Sequence, residues 1–94
     1  MDVITVTAHS AGDFRSLMNE EAARRVGKEG IYTLGAVDLC DLLGCIQFRY
    51  IMSENEKELL AEILYVFVEE GHRGEGVGSV LMSFVKKQLT KRCT

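Results

Sequence analysis

The 94-residue sequence predicts an α+β fold, a mainly antiparallel sheet with flanking helices. Three observations carry that expectation. Apolar residues recur at helical spacing between Ser10 and Val26; the period changes to two from Ile31 to Glu69; and a glycine-rich turn, Gly71 to Gly76, leads into a last amphipathic stretch.

Each element has its own local reason. Val3 to Thr7 alternates apolar residues with threonine, the pattern of a short strand. Ser10 reads as a helix N-cap with Asp13 in the acidic position of a capping box. Phe14, Leu17, Met18, Ala22 and Val26 form the buried stripe of that helix, and Gly27 and Gly30 bracket its exit, where a left-handed residue is easily accommodated. Ile31 to Val37 reads as a strand, Asp38-Leu39-Cys40-Asp41 as a turn, and Leu42 to Met52 as the hairpin partner. Ser53 to Lys57 is a polar loop before a long apolar strand, Glu58 to Glu69. Val77, Leu81, Phe84, Val85 and Leu89 line one face of the last helix. Lys86, Lys87, Lys91 and Arg92 suit its negative C-terminal end.

Composition narrows the classes. The length fits one domain, residues 1–94, and 47% hydrophobic with 27% charged residues is ordinary for a globular chain. A net charge of −3, with no basic run of five, argues against a nucleic-acid partner. No segment approaches the roughly 18 apolar residues of a membrane span, and no secretory leader is recognisable, so a cytoplasmic protein without a membrane partner is expected. Cys40, Cys45 and Cys93 have no metal-ligand spacing, and His9 and His72 stand far apart. Three free thiols in a reducing compartment, and no metal, are the expectation.

The segment His72-Arg73-Gly74-Glu75-Gly76-Val77-Gly78-Ser79 carries the functional signal. A P-loop would need Lys after Gly76, where Val77 stands. A dinucleotide fingerprint starting at Gly74 would need glycine at Ser79. A kinase glycine loop joins two strands, whereas this one opens a helix. Gly74, Gly76 and Gly78 allow close backbone approach to a bulky anion. A helix starting near Val77 offers free N–H groups and roughly half a unit of positive charge, and Arg73 adds a full one.

Arg73-Gly74-Glu75-Gly76-Val77-Gly78, set between an apolar strand and an amphipathic helix, resembles the pyrophosphate loop of the GNAT N-acetyltransferase superfamily. Ala61 to Met82 is similar to that family's fourth strand, loop and following helix, with Arg73, Gly76 and Gly78 in the motif positions. Ala36-Val37-Asp38 and Leu43-Gly44-Cys45-Ile46 are similar to its second and third strands. The resemblance implies an acyl-CoA N-acyltransferase fold and direct transfer of acetyl from acetyl-CoA to an amine, on a small molecule or a peptide. The implied CoA-binding residues are Val66, Phe67 and Val68, pairing through their backbone as an added strand does, and Arg73, Gly74, Glu75, Gly76, Val77, Gly78 and Ser79 around the diphosphate.

Acyl transfer needs a base for the amine. Glu62, eleven residues before Arg73, resembles the place where several family members carry a catalytic glutamate. Burial between Ala61, Ile63 and Leu64 would suit a carboxylate to take up a proton; a strand-end glutamate facing water, like Glu58, is the other reading. Tyr50 and Tyr65 read as packing residues, Cys45 as a small buried thiol, and His72 as a surface loop residue. Two features depart from the family pattern. Glu70 stands where proline is frequent, and the chain stops at Thr94 after the CoA-binding helix, which reads as a C-terminally truncated domain. An open edge on the fourth strand then predicts self-association, with a homodimer completing the sheet. A non-catalytic CoA-binding or interaction module is the alternative function, and a small structural protein with a tight glycine turn is a third.

Overall fold

The computed structural model describes residues 1–39 and 41–93. Strand β1 (Asp2–Thr5) leads to a 3-10 helix (Ala11–Leu17) and α1 (Glu20–Arg25). Then follow β2 (Ile31–Asp38), β3 (Asp41–Met52), β4 (Leu59–Val68), a short 3-10 turn (Glu70–His72) and α2 (Val77–Cys93). The strands form one antiparallel sheet in the order β1-β2-β3-β4. Each strand packs beside its sequence neighbour, as short connections favour. The α+β expectation therefore holds, and among the described residues β4 is an edge strand.

The early helix differs from its expected form. The apolar stripe is continuous, but the chain breaks at Met18, which is extended at φ −123° and ψ 144°. Asn19 then caps a separate helix, its Oδ1 accepting the Ala22 N–H at 2.8 Å, with Glu20 and Glu21 in the first turn. Ser10 makes no capping bond; its Oγ accepts the Thr7 N–H at 2.9 Å instead. The stripe contains a second start signal, and the stronger cap wins. Gly27 and Gly30 both take φ +82°, as expected at the helix exit.

Two cores sandwich the sheet. On one face Leu34, Ala36, Leu43, Ile46 and Phe48 pack against Val77, Leu81 and Val85 of α2. On the other, Val6, Phe14, Leu17 and Cys45 cluster beneath the 3-10 helix and α1. Burying side chains such as Leu81 and Val85 stabilises by about 1.5–3 kcal/mol each, so α2 is held firmly from its first residue. Gly44 permits that closeness. A Cβ there would lie 2.6 Å from the Phe67 carbonyl oxygen and 3.2 Å from Val77 Cγ1. The glycine early in β3 thus sets how near the start of α2 sits to the end of β4.

A bulge between Gln47 and Phe48 skips from Tyr65 to Ile63 on β4 and leaves Leu64 as the extra residue. Below it Glu62 pairs with Arg49 and above it Tyr65 pairs with Gln47, so both point to the α1 face. Among the described residues no helix is long and apolar enough to cross a membrane. Cys45 is buried and unpaired, whereas the side chains of Cys40 and Cys93 lie outside the described residues.

Candidate functional site

The site is built where β4 ends and α2 begins. The Glu69 N–H still reaches the Leu43 oxygen at 2.8 Å. Beyond it the chain turns tightly, with the Glu69 carboxylate accepting the Gly71 N–H at 2.9 Å. Gly74 at φ +90° and Gly76 at φ +81° are left-handed, and a Cβ on either would meet nothing within 4 Å. Alternation of left-handed glycines with ordinary residues turns successive N–H groups toward one concavity, the geometry that receives anions.

The hydrogen-bond pattern identifies which donors are available. Arg73 N–H bonds the Glu70 oxygen, Glu75 N–H bonds the His72 oxygen, and Val80 N–H bonds the Gly76 oxygen. The N–H groups of Gly74, Gly76, Val77, Gly78 and Ser79 have no partner among the described residues. A helix leaves its first N–H groups unpaired as a matter of geometry. Here no side chain caps them, and they border a cavity of about 320 Å³ walled by Val68, Arg73, Gly74, Gly76, Gly78 and Ser79. A groove of about 530 Å³ lined by Val66, Met82, Ser83 and Lys86 meets that cavity at the shared Gly78 and Ser79. Arg73 folds over the end of β4. Its Nε donates to the Val68 oxygen at 3.1 Å, and its guanidinium lies 5.6 Å from the centre of the Phe67 ring.

Strand parity decides which part of β4 is free. Because Glu69 N–H points at β3, the alternation of an antiparallel ladder makes Phe67 a hydrogen-bonded partner of Cys45. Val66 and Val68 then lie in non-hydrogen-bonded pairs, with their backbone groups facing the open edge. Of the three residues expected to offer backbone groups, Val66 and Val68 present them outward, and Phe67 is engaged with the sheet. Val68 shares its oxygen with Arg73. Glu75, also expected in the loop, has its N–H tied to His72 and its side chain turned to the same residue.

Free amides at a helix start beside a free strand edge suit an anion with an extended arm. The model of the acetyltransferase (GNAT) family matches residues 6–94. The chain belongs to the GNAT family.

Comparison with curated proteins found no match. Among solved structures, the ribosomal-protein-alanine N-acetyltransferase of Brucella melitensis biovar Abortus 2308 superposes with a TM-score of 0.85 at 18% identity, covering 99% of this chain and 74% of that one. An acetyltransferase from Vibrio fischeri gives 0.77 at 19% identity, covering 98% and 88%. An aminoglycoside acetyltransferase from an uncultured soil metagenomic sample, in complex with sisomicin, gives 0.77 at 13% identity, covering 97% and 70%. At these identities the likeness is one of fold.

The remaining candidates of this GNAT domain fall into place around the loop. Glu62 is not buried between its apolar neighbours. Strand alternation turns it out beside Arg49, whose Nε lies 2.6 Å from its Oε1, and its side chain is 38% exposed. Tyr65 donates its hydroxyl to the Leu17 oxygen at 3.0 Å, and burial pushes its pKa up, with the nearby Cys45 adding to the shift. Burial raises the Cys45 thiol to about 11. Tyr50 packs edge-on to Phe48 and beneath the Arg92 guanidinium, 4.4 Å from its ring centre. Both tyrosines pack, as expected, but the Tyr65 hydroxyl, expected to face water, is bonded within the protein. Sequence reasoning missed Arg49 as the partner of Glu62 and the tie between His72 and Glu75. Arg49 becomes visible only once the β3–β4 register is known, whereas the i,i+3 spacing of His72 and Glu75 could have suggested theirs.

Proposed function

We propose that this chain binds acetyl-CoA in the trough from the glycine loop to the β4 edge and transfers the acetyl group to an amine. The observation that carries the reading is the row of unpartnered amides from Gly76 to Ser79, opening on a cavity that shares Gly78 and Ser79 with the β4 groove. Acetyl-CoA would supply an activated thioester. The chain's own part is to bind and orient. The amides of Gly76, Val77, Gly78 and Ser79, the positive end of α2 and the Arg73 guanidinium suit a diphosphate. The outward N–H and C=O groups of Val66 and the N–H of Val68 suit an amide-bearing arm lying along the edge as an added strand.

Glu62 is the proposed base. It lies on the α1 face of β4, opposite the α2 groove, so an amine approaching from the α1 side meets it before reaching the edge. Arg49 holds Oε1 and keeps the carboxylate oriented, leaving Oε2 to accept the amine proton. The acceptor class follows the family, an amine on a small molecule or a peptide. One observation favours the alternative of a non-catalytic CoA-binding module: Tyr65, the hydroxyl on β4 nearest to Glu62, already donates to Leu17 and is not free to protonate a departing thiolate. The β4 edge, with Ile63 37% and Val66 49% exposed, is also the surface proposed for homodimer formation. Sizing with and without CoA tests whether arm and second copy compete for it.

Calorimetry with CoA tests the binding reading, and a thiol-release assay over a panel of amines separates enzyme from module. Glu62→Gln is expected to lower turnover by about 10²–10⁴-fold with CoA affinity unchanged. Undiminished turnover in that variant removes Glu62 from the role.

A further inference from the structure

The loop that is read as holding a diphosphate is itself acidic. Glu69, Glu70 and Glu75 stand within seven residues, opposed by Arg73 and by His72. A diphosphate brings further negative charge to this place, so the fate of those carboxylates bears directly on binding. Glu75 is the critical one. Gly74 and Gly76 on either side of it wall the cavity, but Glu75 is not among the residues that line it. Its carboxylate is turned to His72, with Oε2 at 3.0 Å from Nδ1.

The other imidazole nitrogen faces an acid too. Nε2 lies 4.0 Å from Oε2 of Glu69, the same oxygen that accepts the Gly71 N–H. A neutral imidazole has one N–H and one lone pair, and would set that lone pair toward a carboxylate; only the imidazolium has a donor for each side. The carboxylates around the ring all favour its protonated form. The Glu75 hydrogen bond raises the His72 pKa most, the charges of Glu75, Glu69 and Asp41 on β3 add to it, and partial burial opposes them. Glu70 and Arg73 flank the ring along the chain and are exposed.

We propose that His72, as an imidazolium, holds the Glu75 carboxylate out of the diphosphate cavity, so that acetyl-CoA binding is coupled to a proton on His72. This rests on the acetyl-CoA reading above. His72 is a positioning residue: it acts through Glu75 and need not touch the ligand. Loss of its proton removes the ion pair and leaves at most a neutral N–H to share between Glu75 and Glu69, so the Glu75 carboxylate is held more weakly beside the amides where the ligand's charge must go. Linkage is reciprocal, so bound diphosphate favours the protonated ring, and affinity falls as pH rises through the His72 titration.

The test is calorimetry of CoA with the full chain across about pH 6 to 9, repeated in buffers of different ionisation heat so that proton uptake is counted. The wild type is expected to take up a proton on binding on the alkaline side, with affinity falling by up to about tenfold per pH unit. Glu75→Gln should flatten that slope and bind more tightly than wild type at the alkaline end. His72→Gln should abolish the uptake, and subtracting it removes the titration of the CoA phosphates themselves. An NMR titration of the His72 ring should show its pKa rise when CoA is added. Binding with the same pH slope in wild type and both variants overturns the proton coupling while leaving the acetyl-CoA reading intact. No binding at any pH overturns both.

Discussion

Gln47 and the glycine loop treat polar groups in opposite ways. Gln47 lies in the middle of β3, fully buried, and spends every polar atom internally. Its Nε2 donates to the Ala22 oxygen at 2.9 Å and to Thr33 Oγ1 at 3.1 Å, while its Oε1 accepts from Arg25 Nη1 at 3.0 Å. Among the described residues no buried side-chain nitrogen or oxygen lacks a partner. A few residues past β4, five backbone amides are left without one. Burying an unmet polar group costs about 1–3 kcal/mol, which the interior avoids. At the loop the residues that carry the donors border an open cavity. That contrast is what supports the proposed anion site, since the donors every helix leaves at its start here have no side-chain cap and border a cavity.

The largest effect that sharpens this contrast is expected at Gln47. Gln47→Ala strips partners from Ala22, Thr33 and Arg25 and opens a void beneath α1, so urea unfolding should show a loss of about 2–4 kcal/mol. CoA affinity should be unchanged below the lowered melting point. Gly76→Trp should do the reverse. The left-handed φ of +81° costs a non-glycine residue about 1–2 kcal/mol, and the new side chain points into open space that the diphosphate needs. Calorimetry should show affinity reduced by at least about 100-fold, or roughly 2.7 kcal/mol, with the fold kept. The smallest effect is expected at Arg73. Arg73→Ala removes a charge and its bond to the Val68 oxygen but leaves the amides in place, so a loss of about tenfold in affinity, with a weaker salt dependence, is expected. If Arg73→Ala weakened binding more than Gly76→Trp, side-chain charge rather than backbone would be the principal anion holder.

How far the sequence could be read depended on whether a feature is local. The four strands, the glycine loop and the start of α2 are local patterns, and all appear close to their expected bounds. The turn itself is legible because closely spaced glycines favour left-handed backbone, which Gly74 and Gly76 adopt. The early helix reads as one piece because Phe14, Leu17, Met18 and Ala22 keep their period across the break, and whether Ser10 or Asn19 accepts a capping N–H is decided only in three dimensions. Non-local features were invisible. Whether Val66 or Phe67 turns its backbone outward depends on the register with β3, and the bulge at Leu64 shifts Glu62 into its pair with Arg49. A glutamine inside Cys45-Ile46-Gln47-Phe48 was the available hint of a buried polar network, since such a residue must find partners to be tolerated there.

If the Gly74 and Gly76–Ser79 amides form the anion site, backbone amide NMR reads them directly. Titration with CoA should move the Gly74, Gly76, Val77, Gly78 and Ser79 resonances most, followed by Val66 and Val68, while Glu75 and Phe67, whose N–H groups are engaged within the protein, move less. Saturable binding that leaves the Gly76–Ser79 amides unmoved, or shifts gathered elsewhere on the sheet, would contradict the account.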